Sequence, residues 1–317
     1  MEFYGGYHSR GHTVSFVLLG ILVALASVFS GCQSFRVGSD QQAEEKDKKS
    51  STYSQETLRR LFESAYESLG NRDSLKQAYR YLQQIDPNVF GRQWYYGTLS
   101  EMCFYLATYS GVAEDSSKTL YEQGREAALR VLETRPDVQR FLSAEGEISA
   151  ETVNDTIPYI PVNALYWWTI NSILWTEDEP PLERVVARRK LDRAISLIAN
   201  AEPDFRYGAV QRLRGLLLTI SPDGDLNQAK RAFEQAVTEN GVFWTNHFMY
   251  GRYYGITLRK RMIFRQQMEE IIEATNTYPL EFAELNQLVK VRAQEYFQSE
   301  DAFFSASIKF GLSRPNK

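Results

Sequence analysis

A degenerate internal repeat restricts the fold of this chain more than any other feature of its sequence. Three segments share an alanine, an apolar residue four positions later and a proline nine positions later. They are Ala78 with Leu82 and Pro87, Ala127 with Val131 and Pro136, and Ala194 with Ile198 and Pro203. A fourth copy carries Ala229 and ends in Asn–Gly instead of proline. A small alanine lets a partner helix come close, and proline cannot continue a helix. Each copy is therefore predicted to be the second helix of a helix–turn–helix pair.

The rest of the sequence is helical in pattern from Thr57 onward. Apolar residues recur at three- and four-residue spacing, and no alternating pattern is long enough to predict a strand. The anchor alanines are 49, 67 and 35 residues apart, and only the last spacing is near the tetratricopeptide period of about 34. We therefore predict an all-α fold, a degenerate tetratricopeptide-like array of helical hairpins (an α-solenoid) with about five helix pairs plus a capping helix. The predicted pairs are 57–69 with 75–85, 92–110 with 117–134, 163–175 with 183–200, 206–220 with 225–239 and 243–261 with 263–275, and the capping helix covers 281–298.

The longest interruption of this pattern is residues 137–162. The segment is rich in Glu and Asp and ends in "IPYIPV". Because long insertions in compact domains are often functional, it is a candidate for a functional segment.

The N-terminal segment is typical of an export signal. Arg10 precedes an apolar run, residues 14–29, which is shorter than the stretch of about 20 residues that spans a bilayer. The ending "SVFSGC" resembles a bacterial lipobox, although Phe29 stands where leucine is usual. The resemblance implies that Cys32 is lipidated, with palmitate as an expected acyl chain. An uncleaved anchor helix and an ordinary thiol at Cys32 are the alternatives.

These features divide the chain into three predicted parts. Residues 1–31 are a lipoprotein signal peptide, residues 32–56 are the lipidated cysteine and a flexible polar tether, and residues 57–317 are the helical domain. We therefore expect a lipid-anchored protein on the periplasmic side of a bacterial membrane. Gln33 is not the aspartate of an inner-membrane retention signal, which favours the outer membrane.

Composition argues against several classes of function. The net charge of −4 does not favour nucleic-acid binding. Without the signal peptide, His247 is the only histidine, and with Cys32 lipidated Cys103 is the only free thiol. A His-rich metal site is therefore excluded, and His247 and Cys103 are expected to be packing residues. Nucleotide-binding and hydrolase motifs are absent from the sequence. The carboxylates of 177–179 are expected to be solvated in a turn, and Asp225 is expected to cap the helix that follows it. We predict no catalytic residue, no metal and no cofactor, and therefore no enzyme.

The stretch "NALYWWTINSILW", residues 163–175, is apolar almost all round a helix. Such a helix is buried on several sides, so a place in the core is the default interpretation. The alternative is that some of its aromatic residues face a cavity, and membrane insertion is disfavoured because the run is short and lacks basic flanks. The candidates for a ligand wall or pore lining are Asn163, Tyr166, Trp167 and Trp168.

Four stretches together resemble one family. They are the lipoprotein signal, "NALYWW", the segment from Tyr207 to Gly241 with "YGRYYGITLRKRMIFRQQMEEIIEA" after it, and "LNQLVKVRAQEYF". They are similar to the T-component (TatT) lipoproteins of tripartite ATP-independent periplasmic (TRAP) transporters. The resemblance covers most of 57–298. It implies an all-helical periplasmic lipoprotein that partners the solute-binding protein of the transporter and forms a homotrimer with a pore through each subunit.

The resemblance implies that the protein binds this solute-binding protein and assists the uptake of a small ligand, for which a hydrophobic molecule is one candidate class. The main alternative is a general tetratricopeptide scaffold lipoprotein for envelope assembly, which would present an open peptide groove. A periplasmic hydrolase is a third option and would need two carboxylates that converge in a pocket.

Overall fold

The computed structural model describes residues 53–143, 160–275 and 279–305, and in those ranges the regular structure is entirely helical. A π-helix spans Tyr250–Ile256, and short 3₁₀ turns span Thr176–Asp178 and Leu280–Phe282. The α-helices of the described ranges are α1 (Gln55–Tyr66), α2 (Arg72–Leu82), α3 (Arg92–Tyr109), α4 (Glu114–Leu132), α5 (Pro136–Ser143), α6 (Val162–Trp175), α7 (Pro181–Ala201), α8 (Ala209–Ile220), α9 (Leu226–Asn240), α10 (Thr245–Met249), α11 (Arg261–Glu273), α12 (Ala283–Gln298) and α13 (Glu300–Phe304). The predicted all-α class is confirmed.

Each predicted helix pair is in contact. Helices α1 and α2, α3 and α4, α6 and α7, and α8 and α9 pack together, and α11 packs on the π-helix. The anchor residues Ala78, Ala194 and Ala229 are completely buried, as expected for positions of close approach. Asp225 caps α9 as predicted, because its side chain accepts hydrogen bonds from the backbone N–H groups of Asn227 and Gln228. The solenoid arrangement of the pairs stays a prediction.

Residues 137–162 were predicted to be an insertion into the repeat pattern, and the first part of this segment belongs to α5 (Pro136–Ser143). Proline is well suited to the first turn of a helix. Residues 144–159, the signal peptide with Cys32, and the tether up to residue 52 lie outside the described residues. Helix α1 begins at Gln55, two residues before the predicted start of the helical domain.

The predicted single helix 243–261 is wrong, because the segment consists of the short α10 followed by the π-helix. After the π-helix the chain ends its helical course in a Schellman motif. The Lys260 N–H donates to the carbonyl of Gly255 at 2.7 Å and the Arg259 N–H to that of Ile256 at 2.9 Å, with Arg259 at a φ of 53°. The π-helix packs closely on α11. A β-carbon on Gly251 would lie 2.7 Å from Met268 Cε, and one on Gly255 would lie 3.0 Å from Phe264. The two glycines therefore let α11 approach the π-helix.

Helix α6 lies at the centre of the packing and contacts α3, α4, α7 and α8. Every residue from Ala164 to Leu174 is buried, including the polar Thr169, Asn171 and Ser172. The prediction that this apolar helix is buried on nearly every side is confirmed. None of the helices in the described ranges combines the length and the apolar character needed to cross a bilayer.

Candidate functional site

The four residues predicted to line a ligand wall separate into two groups. Tyr166 and Trp167 are 2% and 1% exposed and belong to an aromatic cluster in which their ring centroids are 4.8 Å apart. The guanidinium of Arg206 lies 4.5 Å from the centroid of the Trp167 ring, and its Nη2 donates to Asn163 Oδ1 at 3.1 Å. Trp168 is also buried but points elsewhere, with Lys190 Nζ 5.2 Å from its ring centroid. The structure thus brings Asn163, Tyr166 and Trp167 together and leaves Trp168 apart.

An ion pair closes the cluster on the side of Arg206. Both terminal nitrogens of Arg206 lie 3.3 Å from Glu101 Oε1, which also accepts a hydrogen bond from the Tyr105 hydroxyl at 2.7 Å. Burial lowers the pKa of Arg206, but Glu101 and the neighbouring tyrosines outweigh this effect and the net pKa is raised. Burial raises the pKa of Tyr105 well above its usual value, and the charge of Glu101 raises it further. The polar groups of Arg206, Glu101 and Tyr105 are thus hydrogen-bonded to one another.

Arg212 anchors the loop that carries Arg206. It is completely buried, and its terminal nitrogens donate to the Tyr166 hydroxyl at 2.9 Å, to Asn246 Oδ1, and to the carbonyls of Arg206 and Tyr207, each at 3.4 Å. Arg206, Tyr207 and the glycine after them all have positive φ, at 43°, 51° and 81°. Non-glycine residues rarely adopt this conformation, and here it is stabilised by the bonds from Arg212 and by the side-chain amide of Asn246, which donates to the Tyr207 carbonyl at 3.0 Å.

A cavity of about 240 Å³ lies elsewhere in the molecule, among α3, α4, the end of α6, the π-helix and α12. Its wall combines tyrosine and phenylalanine rings with charged side chains of both signs. The lining residues are Ala107, Thr108, Val112, Glu114, Ser117, Lys118, Tyr121, Leu174, Glu177, Asp178, Phe248, Arg252, Tyr253, Ile256, Arg292, Tyr296 and Phe303. None of the four predicted wall residues is among them.

The π-helix places Arg252 on one wall of this cavity. Arg252 Nε donates to the Tyr296 hydroxyl at 2.9 Å, and the guanidinium carbon lies 4.8 Å from the centroid of the Tyr253 ring. No carboxylate oxygen of the described residues lies within 4.0 Å of its guanidinium nitrogens, and its two terminal nitrogens make no hydrogen bond there. Burial lowers the pKa of Arg252, but Tyr296 and Glu177 outweigh this effect and raise it well above the usual value.

Two carboxylates of the turn after α6, those of Glu177 and Asp178, also line the cavity. Burial raises the pKa of Glu177, and the charge of Arg252 opposes this shift. The expectation of a solvated turn is wrong for Glu177, which lines the cavity, and for Glu179, which forms an ion pair with Lys118 at 2.9 Å. Only Asp178 is exposed, because the 3₁₀ turn points its neighbours inward.

The cavity lies mostly within a region that matches a known family. The family described as TRAP transporter T-component matches residues 112–304, which include α4 to α13. The chain belongs to the TRAP transporter T-component family. The protein is therefore an accessory component of a TRAP transporter, and the family is not known for enzymatic activity. A comparison with curated proteins found no match.

The T-component has a second, more open groove of about 410 Å³ between α2, α3 and α4. Tyr79, Tyr95 and Tyr96 line it. Cys103 lies near Tyr79, and burial raises the pKa of its thiol to about 12, so the thiolate nucleophile is scarce at neutral pH. His247 belongs to another cluster and bonds Gln267 at 2.8 Å, so the two residues form no dyad.

Sequence reasoning missed the residues of the cavity. Glu177 was assigned to a solvated turn, and Arg252 was noticed only inside "YGRYYGI" as part of the family resemblance. The signal that marks the segment is two glycines four residues apart with a charged residue between them in an aromatic helical run. The two glycines indicate a helix face that packs closely on a neighbouring helix. Close packing of that face fixes the direction of the side chains on the rest of the helix, including Arg252.

Proposed function

We propose that this T-component is a lipid-anchored periplasmic protein that binds the solute-binding protein of its TRAP transporter and assists the uptake of a small ligand. The cavity of about 240 Å³ is the observation that carries the proposal, because it gives the helical domain a place to hold a small molecule. Family membership supplies the link to the transporter. Lipidation at Cys32 keeps the domain at the membrane, with the outer membrane as its location, and the protein acts as a homotrimer.

Partner binding is tested by affinity capture of the tagged full-length protein from membranes, followed by mass spectrometry. We expect a periplasmic solute-binding protein among the captured proteins. The variant Cys32→Ser is the matched control, because it should leave the membrane fraction after a salt wash but still capture the partner. Capture without any solute-binding protein would refute the partner assignment. A Cys32→Ser protein that stays with membranes would refute the anchor.

The oligomeric state is tested independently of the partner. Light scattering of the detergent-solubilised protein after size-exclusion chromatography should give the mass of three protein chains. A monomeric mass across the micromolar range would refute the trimer and leave the partner assignment untouched.

A general scaffold lipoprotein is the second candidate, and the open groove lined by Tyr79, Tyr95 and Tyr96 favours it. Such a groove suits an extended peptide, because tyrosine provides apolar area and a hydrogen-bonding hydroxyl together. Tyr95→Ala separates the two functions. Loss of all captured proteins in this variant would favour the scaffold, and unchanged capture of the solute-binding protein favours the transporter role.

A further inference from the structure

We propose that the cavity of the T-component binds a small zwitterion of the size of an amino acid, with the carboxylate held by Arg252 and the ammonium group by Glu177. This inference rests on the proposed function and names the ligand class of its cavity. It is argued from the unused hydrogen-bonding capacity, the separation of charge and the size of the site.

The first argument is the unused donors on one wall. Arg252 engages only its Nε, so its two terminal nitrogens are available in the planar geometry that matches a carboxylate. Arg292 lines the same cavity, and its Nε is buried without a hydrogen-bond partner. Its Nη1 is bonded to Glu295 at 2.7 Å, whereas Arg252 has no carboxylate of the described residues within 4.0 Å. A carboxylate group in the cavity would satisfy the donors of Arg252.

The second argument is an unused acceptor, Glu177, in the lining of the same cavity. Glu177 makes no hydrogen bond or ion pair with any residue of the described ranges. Glu114 and Asp178 line the cavity with it, which makes this side negative. The one lysine of the lining, Lys118, is committed to Glu179 at 2.9 Å. A cationic group in the cavity would therefore find an unpaired carboxylate.

The separation of these two groups favours one molecule with both charges. Arg252 and Glu177 influence each other electrostatically, yet their charged atoms are more than 4.0 Å apart and form no salt bridge. A plain carboxylate would satisfy Arg252 but would face the like charge of Glu177, which is unfavourable. An ammonium group on the same molecule removes this repulsion and compensates Glu177.

The size and lining of the cavity restrict the ligand further. A volume of about 240 Å³ exceeds the roughly 150 Å³ of a cavity that accepts benzene, and it is below the about 300–1,000 Å³ typical of sites for drug-sized ligands. The rings of Tyr121, Tyr253, Tyr296 and Phe248 provide apolar surface for a side chain and π faces for the ammonium group. An α-amino acid with an apolar side chain meets all of these requirements.

The test is a binding titration of the purified full-length protein with each of the twenty L-amino acids, read by calorimetry and by the shift in melting temperature. For the best binder we add two analogues, its amide, which lacks the carboxylate, and its desamino acid, which lacks the ammonium group. We expect saturable binding of at least one apolar amino acid and at least tenfold weaker binding of both analogues.

Variants of Arg252 and Glu177 test whether the ligand binds to these two residues. Arg252→Met and Glu177→Gln should each weaken binding at least tenfold, and Arg252→Lys, which keeps the charge and alters the geometry least, should give an intermediate loss. Arg125→Met and Glu122→Gln are matched controls from α4, because neither residue lines the cavity, and they should bind within twofold of the native protein. Circular dichroism confirms that each variant is folded.

Three results would overturn the inference. They are no binding by any amino acid at about 10 mM, which fills roughly nine-tenths of a site with a Kd of about 1 mM, equal binding of the desamino acid, and binding that Arg252→Met and Glu177→Gln leave unchanged. Each of these outcomes leaves capture of the solute-binding protein unaffected. Failure of the ligand assignment is therefore distinct from failure of the proposed function.

Discussion

Arg212 is completely buried and Arg252 is half-buried, both lie beside aromatic rings, and neither has a carboxylate of the described residues within 4.0 Å. They differ in what their terminal nitrogens contact. Those of Arg212 reach a hydroxyl, a side-chain amide and two backbone carbonyls, and only its Nε lacks a partner. Those of Arg252 reach none, and only its Nε is bonded.

The difference separates a structural cation from one available for binding. A buried polar group that is left without partners costs about 1–3 kcal/mol, so the region around Arg212 is organised to avoid that cost. Arg252 lines a cavity, and its terminal nitrogens have no hydrogen-bond acceptor among the described residues. Arg212, whose terminal nitrogens are all hydrogen-bonded, supports a loop. Arg252, whose terminal nitrogens are not hydrogen-bonded and which lines a cavity, is available to bind a ligand.

The strongest test of this comparison is Arg212→Met. The change removes four hydrogen bonds and leaves Asn246 Oδ1, the Tyr166 hydroxyl and the Arg206 carbonyl without this donor, whereas the Tyr207 carbonyl keeps the side-chain amide of Asn246 as a donor at 3.0 Å. We expect a loss of about 3 kcal/mol or more in the free energy of unfolding, measured with urea. Arg214→Met on the exposed face of the same helix is the control and should change stability by less than about 0.5 kcal/mol. Similar values for the two variants would refute a structural role for Arg212.

Tyr166→Phe also tests the structural role of Arg212, because it removes one of the acceptors of its hydrogen bonds. The hydroxyl accepts from Arg212 Nη2 at 2.9 Å, so its loss should cost about 1–2 kcal/mol in urea unfolding. Tyr254→Phe is the control, because its hydroxyl makes no hydrogen bond in the described part of the chain. In the double variant with Arg212→Met, the Tyr166 change should have little further effect. Full additivity of the two losses would show that they are independent.

Arg252→Met tests whether Arg252, in contrast to Arg212, is dispensable for stability. Only one hydrogen bond, to Tyr296, is lost, and the half-buried Arg252 has no carboxylate of the described residues within 4.0 Å. The free energy of unfolding should therefore change by less than about 1 kcal/mol in either direction, measured as for Arg212→Met. A loss as large as that of Arg212→Met would break the comparison, because it would make both arginines structural.

Glu177→Gln should have the smallest effect on stability, and its sign depends on pH. Burial raises the pKa of Glu177 above its ordinary value of 4.5, so the native protein binds this proton more tightly than the unfolded chain. The contribution of Glu177 to stability is therefore fully present at low pH and is lost as the pH rises through the folded pKa. The carboxyl faces Arg252, Asp178, Glu114 and Arg184. Melting temperatures measured from pH 4 to pH 8 should show the variant gaining on the native protein as pH rises, and a constant difference would contradict the raised pKa.

The helix pairs could be predicted from the sequence, and the cavity could not. Ala78 and Pro87 mark a close approach and a helix end through their own local chemistry, and the burial of α6 follows from its uniformly apolar composition. The cavity depends instead on Glu177, Arg252 and Tyr296, which are remote in sequence and meet only after folding. Among the predicted wall residues, the separation of Trp167 from Trp168 follows from the rotation of about 100° between neighbours on a helix. Which groups each of these two rings contacts, Arg206 for Trp167 and Lys190 for Trp168, depends on packing that a single sequence does not encode locally.

The π-helix has a consequence for how this domain tolerates changes of length. A π turn contains one residue more than an α turn, so deletion of a single residue within Tyr250–Ile256 could restore a regular α-helix without breaking the chain of hydrogen bonds. The side chains on one side of the deletion would then turn by roughly 100° relative to those on the other. Substitutions in this segment alter the cavity wall one side chain at a time, whereas a one-residue deletion would redirect Arg252 and Tyr253 together and leave a helix of nearly the same length.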